Sequence, residues 1–98
     1  MIIIQQLYTK SDTETPWYYQ IWTAELTEHM LNEYHKPGKL DGSFALSEDG
    51  LSLTITQIFS DQAAKDQFDN DPFLIQQRSL REEYNNTHGI VLSSVTQL

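Results

Sequence analysis

Apolar residues recur along this chain at two periods, and the alternation of those periods lays out its elements. Residues 2–9 (IIIQQLYT) open β-branched and apolar and then become mixed, which suits a strand. Thr15-Pro16 predicts a helix start, with a hydroxyl at the N-cap and Pro at the first helical position, where its missing N–H costs nothing. The helix is expected from Trp17 to His35, stopping at Pro37-Gly38, with Tyr19, Trp22, Leu26, Met30 and Tyr34 as its apolar stripe.

Residues 42–59 form the clearest unit. Asp49-Gly50 is a two-residue hairpin signal, because both positions of the favoured turn take positive φ. That loop sets Leu46 opposite Leu53 and Phe44 opposite Ile55, so the four share one apolar face. The other face carries Ser43, Ala45, Ser52, Thr54, Thr56 and Ile58. Ser60 is expected to cap a helical region from Asp61, and Asp71-Pro72 to break it into a short and a longer helix. The longer one is expected to bury Phe73, Leu80 and Tyr84 and to end near Asn85-Asn86, just before Gly89. Residues 90–97 (IVLSSVTQ) read as the last strand. The order β-α-β-β-α-β predicts one ferredoxin-like α+β domain over residues 1–98, a four-stranded antiparallel sheet with both helices on one face.

Such a sheet leaves its other face bare. The first and last strands are apolar on both sides: Ile2 and Ile4 oppose Ile3 and Leu7, and Ile90 and Leu92 oppose Val91 and Val95. Burying one such side chain contributes roughly 1.5–3 kcal/mol, so a second copy laid on the bare face is the expected remedy. Trp17, Ile21, Ala24 and Leu31, opposite the core stripe of the first helix, point to a further contact. The chain is therefore expected to be a homodimer.

Composition narrows the partners. Fourteen Asp+Glu against six Lys+Arg give a net charge of −8, the wrong sign for a nucleic-acid surface. The absence of cysteine excludes disulfides, Cys-ligated zinc and thiol nucleophiles. The longest apolar run, Ile2-Ile3-Ile4, is far short of the about 20 residues of a membrane span. With no basic, apolar leader, the expected location is cytoplasmic.

Candidate chemistry is sparse. Glu25, His29 and Glu33, at i, i+4 and i+8, align on the first helix in a way that suits a divalent metal or an oriented general base. The same spacing also describes a solvated helix edge, and no metal is expected. His35 and His88 read as helix-end residues. Arg78 and Arg81 suit a carboxylate or phosphate, with local ion pairs as the competing role. A ligand pocket is expected to draw on Tyr19, Trp22 and Phe44 as walls, on Tyr8 and Gln57 as polar handles and on His29. No GxGxxG, P-loop, nucleophile elbow or HExxH is present, and no cofactor is implied.

The element order and the segment FSDQAAKDQFDNDPF, which leads from the third strand into a helix with an Asp-Pro break, resemble the dimeric α+β barrel proteins. These include the antibiotic-biosynthesis-monooxygenase-like group and its dimeric ferredoxin-like relatives. The resemblance implies two sheets paired as a barrel, with a pocket between sheet and helices in each subunit. Members that act as monooxygenases or degrade haem use an Asn on the first strand and a Trp on the second helix, the haem-degrading ones adding a His there. This chain has Gln5 and Gln6 on the first strand, no Trp on the second helix, and His88 after it, so no catalytic set carries over. The expected function is a small homodimer that binds a small apolar ligand or a protein partner without catalysis. The alternative is a cofactor-independent enzyme of the monooxygenase or isomerase kind.

Overall fold

Strand β1 (Ile2–Thr9) lies inside a four-stranded antiparallel sheet, between β3 (Ser52–Phe59) and β4 (Val91–Gln97). Strand β2 (Leu40–Leu46) flanks β3, giving the order β2-β3-β1-β4. The computed structural model describes residues 1–98. Helices α1 (Ala24–Met30), α2 (Gln62–Asn70) and α3 (Pro72–His88) cover one face, so the expected ferredoxin-like α+β architecture is what forms. No helix is long and apolar enough to cross a membrane.

The β2–β3 hairpin has the expected register, with Leu46 opposite Leu53 and Phe44 opposite Ile55. Its turn differs. The Gly50 N–H donates to the Ser47 carbonyl at 3.0 Å, and Gly50 alone takes positive φ there, at 72°. Asp49 keeps ordinary backbone because its carboxylate accepts from the Ser47 hydroxyl at 2.6 Å and the Leu51 N–H at 3.0 Å, a local turn of its own.

The single helix expected over Trp17–His35 is instead three pieces. Asp12 accepts from the Thr15 N–H at 2.7 Å and its hydroxyl at 3.1 Å, so Thr15 is held in a turn and caps nothing. Residues Tyr18–Ile21 make a 3₁₀ turn, and Trp22 and Thr23 are extended. The Thr23 hydroxyl then accepts the Leu26 N–H at 3.1 Å and starts α1. Helix α1 passes into a π turn at Leu31–His35, where the Lys36 N–H reaches the Leu31 carbonyl five residues back at 2.8 Å. The break turns Trp17 inward. It is buried against Tyr8, Leu53 and Ile90 under the Lys10 ammonium, and is not the outward contact that helical spacing predicts.

Asp61, and not Ser60, caps α2, accepting the Ala64 N–H at 2.8 Å. The Asp71-Pro72 break falls where expected: Asp71 accepts from Phe73 N–H at 3.0 Å and Leu74 N–H at 3.4 Å. Helix α3 continues past Asn86 to His88 and closes on Gly89 in the left-handed region, φ 69°. The phase set by this cap turns Leu74 and Asn85 inward, leaves Phe73 and Tyr84 half-buried, and exposes Leu80.

Strand β4 also departs from simple alternation. Tyr8 faces Leu92, but Leu7 faces Ser94 and Gln6 faces Val95, so a β-bulge inserts one residue at Ser93. Val95 thereby joins Leu92 on the helix side. The helix-free face carries Ile3, Leu7, Ala45, Ile58 and Val91 among Gln5, Thr9, Thr54, Thr56, Ser94 and Thr96. The interior is divided: Leu26, Met30, Tyr34, Leu40, Phe59 and Leu74 form one core cluster, and Tyr8, Trp17, Leu53 and Ile90 another.

Candidate functional site

A cleft lies between these two clusters. One half, with a cavity volume of about 80 Å³ and partly open to solvent, is lined by Leu26, Met30, Phe68 and Leu74 of the first cluster's surroundings, with Gln57, Gln77 and Arg78. The other half, with a cavity volume of about 50 Å³, is lined by Tyr8, Tyr19, Leu53 and Ile55 of the second, with Asn85. Tyr18, Trp22 and Arg81 line both halves and join them. Each element supplies its residues by local rules. Strand alternation points Tyr8, Leu53, Ile55 and Gln57 to the helix side. The 3₁₀ turn and the extended step after it bring Tyr18, Tyr19 and Trp22 over that side. The α3 stripe Leu74, Arg78, Arg81 and Asn85, at spacings of four, three and four, closes it.

Tyr8, Tyr19, Trp22 and Gln57 are thus brought together around the cleft. Phe44 lines neither half. Its ring stacks on the Tyr19 ring at 4.3 Å, with 46% of the residue exposed at the sheet edge. His29 lies apart. Its Nε2 donates to the Asp71 carboxylate at 2.6 Å, and the Tyr34 hydroxyl donates to the same oxygen at 2.7 Å. Burial pushes the Asp71 carboxyl up, but these two hydrogen bonds outweigh it and hold Asp71 below the ordinary carboxylate range. Burial and Asp71 together push the Tyr34 phenol far above its usual value. Glu25 and Glu33 do not converge with His29, and no group of three carboxylates or imidazoles is placed to hold a metal. The i, i+4, i+8 alignment gives way because a partner from another element, 42 residues along, lies closer. His35 bonds the Leu40 carbonyl of β2 at 2.8 Å, and His88 packs on Tyr84 at 4.3 Å.

The lining also takes in residues that sequence patterning does not assign to the pocket, among them Tyr18, Asn85 and Arg81. The expected local ion pairs of Arg78 and Arg81 do not form, since the ion pairs present are His29–Asp71 and Lys65–Asp69. Arg78 instead donates to the Phe68 and Asp69 carbonyls at the end of α2, at 2.8 and 3.2 Å, and its Nε is buried without a partner. The Tyr8 hydroxyl and the Asn85 amide oxygen are likewise buried and unpartnered, on residues only 3% and 9% exposed. Burial raises the Tyr8 phenol, opposed by the Arg81 charge and aided by Glu82, so it is a proton donor at neutral pH.

The architecture defines a ferredoxin-like α+β protein with a cleft between sheet and helices. Neither protein-family models nor curated proteins match the sequence. Among solved structures, the chain is similar to Rv0793 from Mycobacterium tuberculosis, at 15% identity and a TM-score of 0.60, over 100% of this chain and 93% of that one. It is also similar to a proposed antibiotic biosynthesis monooxygenase from Deinococcus radiodurans, at 16% identity and a TM-score of 0.52, over 100% and 90%. At these identities the likeness establishes the fold, and it does so over the whole chain.

Proposed function

We propose that the protein is a homodimer whose subunits each bind a small, largely apolar molecule in the cleft without transforming it. The observation that carries the ligand reading is the joining of two mainly apolar hollows through Tyr18, Trp22 and Arg81, with a few polar groups converging on them. The non-catalytic part is supported by the lining itself. It offers aromatic, aliphatic, amide and guanidinium groups, while the His29–Asp71 pair is committed to tying α1 to α3. The dimer is supported by Ile3, Leu7 and Ile58 on a sheet face that no helix covers.

Titration with 2-naphthamide, followed by tryptophan fluorescence, tests the ligand reading: saturable quenching is expected, and Trp22→Phe should remove most of it. No saturable binding in the millimolar range by either this amide or the corresponding 2-naphthoate would overturn it. A second reading, a cofactor-independent monooxygenase or isomerase, is favoured by the fold shared with the Deinococcus protein. Oxygen uptake with 1-naphthol, one oxygen atom entering the ring to give 1,4-naphthoquinone and the other leaving as water, abolished by Trp22→Ala, would select the monooxygenase reading over simple binding.

A further inference from the structure

The two arginines of this chain, Arg78 and Arg81, both line the cleft, in a protein with fourteen acidic residues and a net charge of −8. Neither is ion-paired, although carboxylates outnumber cations by more than two to one. Arg78 is occupied in part by the α2 carbonyls, which leaves Arg81 as the guanidinium free for other contacts. Arg81 lines both halves of the cleft and also the wider groove beside it, where Ile4, Gln6, Gln57 and Val95 open to solvent. In the same half lie the Tyr8 hydroxyl and the Asn85 amide oxygen, both buried without a hydrogen-bond partner, on residues more than nine-tenths buried. Leaving such groups unpaired is costly and uncommon in folded proteins, so their convergence beside a free guanidinium marks a place made for a polar group.

The chemistry of that group follows from the donors. A guanidinium presents a fork of N–H groups matched to a carboxylate, and a phenol that stays protonated donates one more hydrogen bond. Asn85 places its amide oxygen, an acceptor, on this side, so it joins the donors only with its amide turned over to present the amino end. The walls beyond these donors are Tyr18, Tyr19, Trp22, Leu53 and Ile55, which suit flat rings.

We propose that the cleft selects an aromatic monocarboxylate, its carboxylate meeting the Arg81 guanidinium and the Tyr8 hydroxyl and its rings lying between Trp22 and the sheet. This deepens, and rests on, the reading of the cleft as a ligand site. The experiment compares 2-naphthoate with its neutral isostere 2-naphthamide by isothermal titration calorimetry on the full chain. Wild type should bind the carboxylate at least about tenfold more tightly, the range of a charge-assisted hydrogen bond. Arg81→Gln should bring the two affinities together by weakening naphthoate alone, and Tyr8→Phe should narrow the gap a few-fold. Thermal melts confirm that each variant is folded. Should one fail, the wild-type comparison and the other variant still decide. Equal affinities in wild type, or a preference that survives Arg81→Gln, would overturn the carboxylate assignment while leaving the cleft a ligand site. Failure of both compounds to bind would overturn the site itself.

Discussion

The Asp71 carboxylate gathers hydrogen bonds from His29, Tyr34, Phe73 and Leu74, joining α1, the π turn after it and the start of α3. Removing it with Asp71→Ala abolishes a helix cap and leaves the Tyr34 hydroxyl short of its best acceptor, a loss of about 1–3 kcal/mol expected in urea unfolding. The pH response has a definite sign. Because the folded-state pKa of Asp71 is depressed, its stabilising effect is present above about pH 4, where the unfolded carboxyl ionises, and is lost as pH falls through the folded value. Wild type should therefore lose stability on acidification below pH 4 more steeply than Asp71→Asn, in unfolding curves taken at stepped pH. Tyr8 gives the opposite kind of result. Its hydroxyl is buried without a partner, so Tyr8→Phe should leave the melting temperature of the free protein unchanged or raise it.

At the scale of elements, α3 depends on its left-handed terminus. A Cβ at Gly89 would meet no neighbour within 4 Å, so Gly89→Ala isolates the backbone cost of φ 69°. A loss of about 1 kcal/mol in thermal unfolding is the expected outcome. The hairpin register and the order of elements along the chain could be read from the residues, the register because period-two alternation around Gly50 admits only one. The break at Trp22-Thr23 could not, since Tyr19, Trp22, Leu26, Met30 and Tyr34 keep helical spacing whether or not the backbone between them is continuous. Nor could the β4 bulge, where Ser93-Ser94 offers two interchangeable small polar residues at the point of insertion. The cleft divides the same way. Tyr8, Trp22 and Gln57 follow from strand and helix faces, and Arg81 could be read as an anion contact but not placed in the pocket, whereas Asn85 is a polar residue at an inward helix position, which patterning assigns to solvent. The partner of His29 lies 42 residues away and only the tertiary fold supplies it.

For the whole molecule, the proposed pairing of helix-free faces makes Thr56 a sensitive position, because it sits on the middle strands of that face beside Gln5, 3.4 Å from its side-chain amide. Thr56→Glu should shift sedimentation from dimer to monomer with the helical circular dichroism retained, since a buried like-charge pair at the contact is costly. The divided interior has a dynamic consequence. Tyr34 and Phe59 belong to one apolar cluster, Trp17 and Ile90 to the other, and the cleft runs between them. Amides around the two clusters should therefore exchange with deuterium at two distinct rates in the empty protein, each cluster opening on its own. A bound aromatic molecule would bridge them, and the two protection levels should then merge into one cooperative unit.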